Sequence, residues 1–251
     1  MEESKKLNLS YLIFASVLAL GFVIGALIMS GTWKKVASSS VTISVTGSAS
    51  KQIKSDLGIF SASFSSEAPS QTEAYAKLRQ TNLRVKEYLI NFGFPEDKIV
   101  FSSVSSGSMI GNPFGFGTTE TKPGKTKTYT LSQEVTIESP DVDKIDKLSR
   151  TFSELITQGI DLSADPVEFL YTKLGDLKIE MIGLASQDAK VRAEQIAGAT
   201  GNKVGDVRSS KTGVIQINAK NSTEISDYGI NDTHSLEKTI TAVVNVTFAI
   251  E

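Results

Sequence analysis

The sequence predicts an α+β protein, with an N-terminal transmembrane helix followed by mostly antiparallel strands and about three packed helices. Three observations carry this. An uncharged apolar run stands ahead of a polar remainder. Three later stretches repeat apolar residues at helical spacing, and the segments around them alternate apolar and polar side chains as half-buried strands do. The chain ends on the longest such alternation, Ile240 to Ile250.

The apolar run comes first. Tyr11 to Met29 contains neither charge nor proline. A helix of that length spans about 28 Å, close to the thickness of a bilayer's hydrocarbon core. Tyr11 and Trp33 stand near its ends, where amphipathic rings favour the headgroup zone. Lys5–Lys6 and Lys34–Lys35 bracket it, so lysine counts tie, and the N-terminal amine tips the balance toward an N-inside orientation. That places residues 36–251 outside the cytoplasm, in the periplasm or at the cell surface. The rival reading is a cleaved signal peptide, whose apolar region is shorter and runs straight into a small-residue cleavage site. Here Val36-Ala37-Ser38 sits behind two lysines, and an uncleaved anchor fits better. Residues 1–35 are read as the anchor, 36–40 as a tether and 41–251 as one extracytoplasmic unit. Ala15, Ala19, Ala26 and Ser30 line one face of the anchor, and Gly21 and Gly25 make a GxxxG pair that favours helix association.

The remaining elements come in chain order. Val41, Ile43 and Val45 open a strand that Gly47-Ser48 interrupts, as at a bulge. Phe60, Ala62 and Phe64 share a face of the next strand. Ser70 and Glu73 form a capping box before Ala74, Leu78, Val85, Leu89 and Phe92, and Gly93 with Pro95 stops that helix. Ile99 to Val104 reads as a strand. Gly107 to Lys127 is rich in glycine and proline, a long loop or hairpin tip with apolar Met109, Ile110, Phe114 and Phe116. Its glycines lack the Lys-Ser/Thr ending of a phosphate-binding loop. Tyr129, Leu131, Val135 and Ile137 line a strong strand.

Ser139-Pro140 opens the second helix, whose stripe is Val142, Ile145, Leu148, Phe152, Leu155 and Ile156, with Gly159 at its end. Val167, Phe169 and Tyr171 suggest another strand. The longest helix runs from about Leu174 to Thr200, burying Leu177, Met181, Leu184, Ala185, Ala189 and Ile196, and Gly201 closes it. Val204 to Val207 and Val214 to Ile217 are short strands, and Asn218 to Ser235 is an irregular polar connection. In the last strand, Val243 and Ala249 make the second face partly apolar. That strand is therefore central, or covered by another copy.

Composition narrows the chemistry. The chain has 251 residues, no cysteine, one histidine and a net charge of -2. That excludes a disulfide framework, a thiol nucleophile, an iron–sulfur cluster and a multi-histidine metal centre, and a broad nucleic-acid footprint is not expected. The one imidazole, His234, lies beside Asp232 and Ser235 in a polar segment. Neighbours in sequence rarely present triad geometry, and no G-x-S-x-G accompanies them, so an exposed loop histidine is the expectation. Asp161, Asp165 and Glu168 lack calcium-loop spacing. Asp141, Asp143 and Asp146 suit the first turns of a helix. No catalytic residue, cofactor or metal site is expected.

The order of segments is similar to one known family. Val45-Thr46-Gly47-Ser48-Ala49 followed by Lys54-Ser55-Asp56 resembles the opening motif of the SIMPL domain family. Gly93-Phe94-Pro95-Glu96-Asp97-Lys98-Ile99 resembles its turn after the first helix. Ala189-Lys190-Val191-Arg192-Ala193-Glu194-Gln195-Ile196-Ala197 resembles its alanine-rich helix, and Gly201-Asn202-Lys203-Val204-Gly205 resembles the segment after that helix. The likeness covers about residues 41–251. Ser55 departs from it, standing where the family usually has proline, which would loosen a turn. The resemblance implies an exported envelope protein of the periplasmic immunogenic or oxidative-stress-defence type, in a family where some members form ring-like oligomers and no catalytic set is established.

The expectation is a non-enzymatic, membrane-anchored protein that self-assembles. Candidate contacts between copies are Phe114, Phe116, Val243 and Phe248 in the exported part and Gly21 and Gly25 in the anchor. The alternative is a binding module for a small ligand or another envelope protein.

Overall fold

The computed structural model describes residues 2–38, 41–109 and 128–251. Helix α1 (Glu2–Ser38) contains Tyr11–Ser30, a stretch of 20 residues long and apolar enough to cross a membrane. Strand β1 (Thr42–Lys54) runs without a break through Gly47 and Ser48. Strand β2 (Leu57–Ala68) buries Phe60, Ala62 and Phe64 on one face. Helix α2 (Gln71–Phe92) starts where the Ser70 hydroxyl accepts from Glu73 N–H at 3.2 Å. It stops at Gly93, whose φ of 102° a side chain would resist.

Strands β3 (Ile99–Phe101) and β4 (Ser105–Met109) take the place of the single strand expected there. Strand β5 (Thr128–Ser139) pairs with both. Helix α3 (Val142–Thr151) is capped by Asp141, whose carboxylate accepts from Lys144 N–H at 3.1 Å; Pro140 lies one residue before the cap rather than inside the first turn. A tighter 3-10 turn, Phe152–Gln158, comes next. With three residues per turn it stacks Phe152 over Leu155, both buried, and rotates Ile156 out to solvent.

Strands β6 (Asp161–Ala164) and β7 (Glu168–Leu170) lead to helix α4 (Leu174–Ala199). Its buried side is a strict every-fourth-residue seam of Leu177, Met181, Ala185, Ala189, Ala193 and Ala197, while Leu184 and Ile196 are exposed. Strand β8 (Val204–Thr212) is longer than expected, and β9 (Gln216–Ala219), β10 (Ile230–Asn231) and β11 (Glu237–Ile250) complete the fold.

These elements form two compact units. The first comprises Met1–Ala49, Ile179–Val214 and Ala242–Glu251; the second comprises Ser50–Lys178 and Ile215–Thr241. The sequence shows no linker because β1, α4 and β11 each contribute residues to both. In the second unit β2 pairs antiparallel with β5 from Gly58↔Ser139 to Ala68↔Tyr129, inside a sheet ordered β3-β5-β2-β6 with β4 on β5 and β7 on β2. Helices α2 and α3 cover it. Their core holds Phe60, Phe64, Leu78, Leu89, Ile145 and Phe152, with the Phe60 and Phe152 rings edge to face at 5.0 Å. In the first unit β11 pairs antiparallel with β8, from Val244↔Thr212 to Ile250↔Val204. Strand β1 flanks β11 on its other side.

Candidate functional site

The residues singled out from sequence scatter. Phe114 and Phe116 lie outside the described residues. Phe248 is 4% exposed, so it supplies core and no free contact surface, whereas Val243 is 37% exposed. A Cβ at Gly21 or Gly25 would meet nothing within 4 Å, leaving that face of α1 open. His234 is exposed, its Nδ1 3.4 Å from the Val167 carbonyl oxygen. Asp161 takes the Ser65 hydroxyl and Glu168 sits in β7. Among the described residues, no three of His, Asp or Glu gather closely enough to hold a metal. Asp143 pairs with Lys54 and Asp146 with Arg150 on the surface.

Two other arrangements emerge. The first belongs to the first unit. The Thr42–Ala49 part of β1 has no charged side chain and, among the described residues, β11 as its one strand neighbour. Edge strands normally carry charges that discourage pairing with another chain. Strand β8, the other edge in this unit, has them in Asp206, Arg208 and Lys211. Beside β1 runs a groove of about 520 Å³ lined by Val45, Val191, Arg192 and Ile196 among others.

Gly47 lets β1 approach α4. A Cβ there would stand 2.2 Å from the Ala185 carbonyl oxygen and 2.4 Å from Ala189 N. Next to it, Ser48 N–H and Arg192 Nε each donate to Asp188 Oδ2 at 2.8 Å. The Ser48 N–H is the main reason that carboxyl is held below its ordinary range; slight burial opposes it and Arg192 adds to it.

The second arrangement is a lysine pocket in the second unit. Lys238 lies on the inward face of β11, in phase with Ile240, and is 2% exposed. Its ammonium donates to the Phe169 carbonyl at 2.5 Å and to the Asp232 carbonyl. Burial pushes the Lys238 ammonium down from its ordinary value, and the Asp232 charge opposes that. Asp232 closes a turn: its Oδ1 accepts from His234 N–H at 2.8 Å and Ser235 N–H at 3.1 Å, while its Oδ2 is buried with no hydrogen-bond partner among the described residues. Burial pushes that carboxyl up, but the Ser235 hydroxyl, the two N–H groups and Lys238 outweigh it, and the net shift is downward.

Backbone bonds fix the walls of this pocket. Phe169 N–H reaches Thr233 O at 2.7 Å, and Asp232 N–H reaches Ile217 O at 2.9 Å. The Asp56 carboxylate holds Thr172 through its N–H at 2.7 Å and its hydroxyl at 2.9 Å. Ser55 is buried, and its N–H donates to Leu236 O at 2.9 Å. Proline has no N–H, so the departure at Ser55 ties this turn rather than loosening it. The cavity so formed is about 230 Å³, with Leu170, Leu174 and Ile217 as apolar wall and Asp232 and Lys238 as charged groups. Lys238 escaped the sequence reading. The signal for it was a lysine falling in phase with the buried residues of the terminal strand.

Comparison with known proteins agrees with the segment order. A family model, SIMPL, described as a protein of unknown function (DUF541), matches residues 43–248. No curated protein matches the chain.

Proposed function

The chain belongs to the SIMPL family, and from that premise we propose a non-enzymatic, membrane-anchored envelope protein whose extracytoplasmic domain self-assembles. The observation that carries the assembly is the Thr42–Thr46 edge of β1, which bears no charge and, among the described residues, has β11 as its one strand neighbour, beside the groove that Val191 and Ile196 line. A second copy can add its strand there, with main-chain hydrogen bonds and burial of Val191 and Ile196 stabilising the contact. The anchor in α1 holds copies in one plane and raises their local concentration. The non-enzymatic reading is supported by His234, which is exposed and whose hydrogen bonds among the described residues run from its N–H to the Asp232 carboxylate and between its Nδ1 and the Val167 carbonyl oxygen. The oxidative-stress role implied by the resemblance would be exercised by such an assembly at the membrane surface.

Light scattering on the full chain in detergent tests the assembly. The wild type should run as an oligomer, and Val191→Lys with Ile196→Lys should shift it toward monomer without lowering its melting temperature, since both side chains are exposed. A wild-type monomer across a wide concentration range would overturn the reading.

A further inference from the structure

Between β9 and β10 the chain makes a loop, residues 220–229, that is tied down and yet presents its hydrophobic side chains to solvent. Two buried amides on β9 clamp it: Gln216 Nε2 donates to Ser226 O at 2.7 Å, and Asn218 Nδ2 donates to Glu224 O at 2.6 Å. Lys220 N–H donates to Glu237 O at 3.0 Å at one end, and Gly229 N–H closes a turn on Ser226 O at 3.1 Å at the other. On this frame Ile225 is 84% exposed and Tyr228 97%, the two most exposed large hydrophobic side chains among the described residues. A loop already ordered in the free protein loses little further entropy when it docks. Its charge is one-sided. Lys220, its one cation, is taken by Glu237 at 2.6 Å, while Glu224 and Asp227 are exposed and make no ion pair among the described residues.

The outer side of α2, in the same unit, carries the complement. At 100° per residue, Tyr75, Arg79, Leu83, Lys86 and Ile90 fall in one stripe, and no carboxylate falls within it. Tyr75, Leu83 and Ile90 are exposed hydrophobics. Lys86 is held by Glu96 at 2.5 Å, but Arg79 is exposed and makes no ion pair among the described residues. An acidic loop with apolar knobs thus matches a cationic stripe with apolar gaps. Both surfaces stay exposed within a single chain, so one copy does not satisfy itself.

We propose that the 220–229 loop of one copy docks on the outer face of α2 of a second copy, with Ile225 and Tyr228 against Tyr75, Leu83 and Ile90, and Glu224 and Asp227 facing Arg79. The contact is heterologous, so each copy gives its loop to one neighbour and its helix to another. It goes beyond the β1 edge and stands whether or not that edge pairs, because β1 up to Ala49 belongs to the first unit and both of these surfaces belong to the second.

Light scattering on the full chain in detergent tests it, in a Val191→Lys, Ile196→Lys background that disables the β1 contact. This parent should still associate as concentration rises. Ile225→Ser with Tyr228→Ser removes the loop's anchors, and Arg79→Glu with Leu83→Glu spoils the helix stripe. Each pair should weaken association about tenfold or more, with melting temperatures unchanged because all four side chains are exposed. Mixing the two variants leaves one intact loop and one intact helix, and should form a heterodimer that neither variant forms alone. Pairing through the anchor is the same in every variant and gives no such recovery. Three results would each overturn the proposal: a parent that stays monomeric at all concentrations, a helix variant that associates as the parent does, or no recovery on mixing. Failure of the β1 edge would show separately, as an unchanged mass on introducing Val191→Lys and Ile196→Lys into the wild type.

Discussion

Replacing Gly47 with alanine probes the close approach of β1 to α4. The new Cβ would lie 2.2 Å from Ala185 O, 2.4 Å from Ala189 N and 2.7 Å from Ala189 Cβ, where ordinary contact begins at 3.4 Å. Two of these atoms are backbone, so no rotamer change relieves the clash. Helix α4 must retreat by about 1 Å, which loosens contacts along its alanine seam. Overpacking of this kind costs about 1–3 kcal/mol. The same retreat stretches the bond from Ser48 N–H to Asp188, which acts in the same direction. The stiffer unfolded chain offsets roughly 0.4–1 kcal/mol. A net loss of about 1–2 kcal/mol corresponds to a melting temperature lower by roughly 2–8 °C for a chain of this size.

Gly183→Ala is the matched control. It lies in exposed mid-helix with nothing within 4 Å of its Cβ position, so it should stabilise by up to about 1 kcal/mol. Circular dichroism melts of both variants in detergent check the pair. Gly47→Ala melting at or above wild type would refute the close approach.

Other outcomes rest on single groups. The Asp188 carboxyl titrates lower in the folded chain than an unperturbed aspartate does. Its stabilising contribution is therefore fully present above the unfolded value and is lost as pH falls through the depressed folded one. Denaturant midpoints of wild type and Asp188→Asn should differ at neutral pH and converge in strong acid; a constant gap would show that Asp188 acts through something other than its charge. His234→Ala should leave melting temperature and phenotype unchanged, and loss of a defined activity with the fold intact would revive an enzymatic reading. Tyr11–Met29 should remain in the mature, carbonate-resistant membrane fraction; N-terminal sequencing that begins near Ser39 would instead mark a cleaved signal.

Local signals in the sequence were legible. The Ser70 cap, the Gly93 and Gly159 stops and the alternation in β2 and β11 depend on neighbours a few residues away, and each appears in the fold. Helix α4 was harder. Hydrophobicity alone ranks Leu184 and Ile196 above Ala193 and Ala197, yet the alanines are buried and the larger residues are not. At Ala185 and Ala189 on the same seam the cause is remote: β1 comes so near at Gly47 that only small side chains fit between them. Strand β8 was read short because it is largely exposed, so no apolar alternation marks its second half.

The lysine pocket shows the same division. The phase of Lys238 in β11 could be read from sequence, since it sits two residues before Ile240 on the buried face. What satisfies its charge could not. The Phe169 and Asp232 acceptors are main-chain carbonyls, which every residue carries, so side-chain identity gives no hint of them. Asp232 itself was noticed only as a neighbour of His234. In the fold its carboxylate serves the turn through Oδ1, while Oδ2 is buried. A lysine kept in phase with a hydrophobic strand face, at the cost of desolvating its charge, is explained by the two carbonyls it ties together, on Phe169 and Asp232. Methionine would fill the same space without that cost, but would leave both carbonyls without this donor.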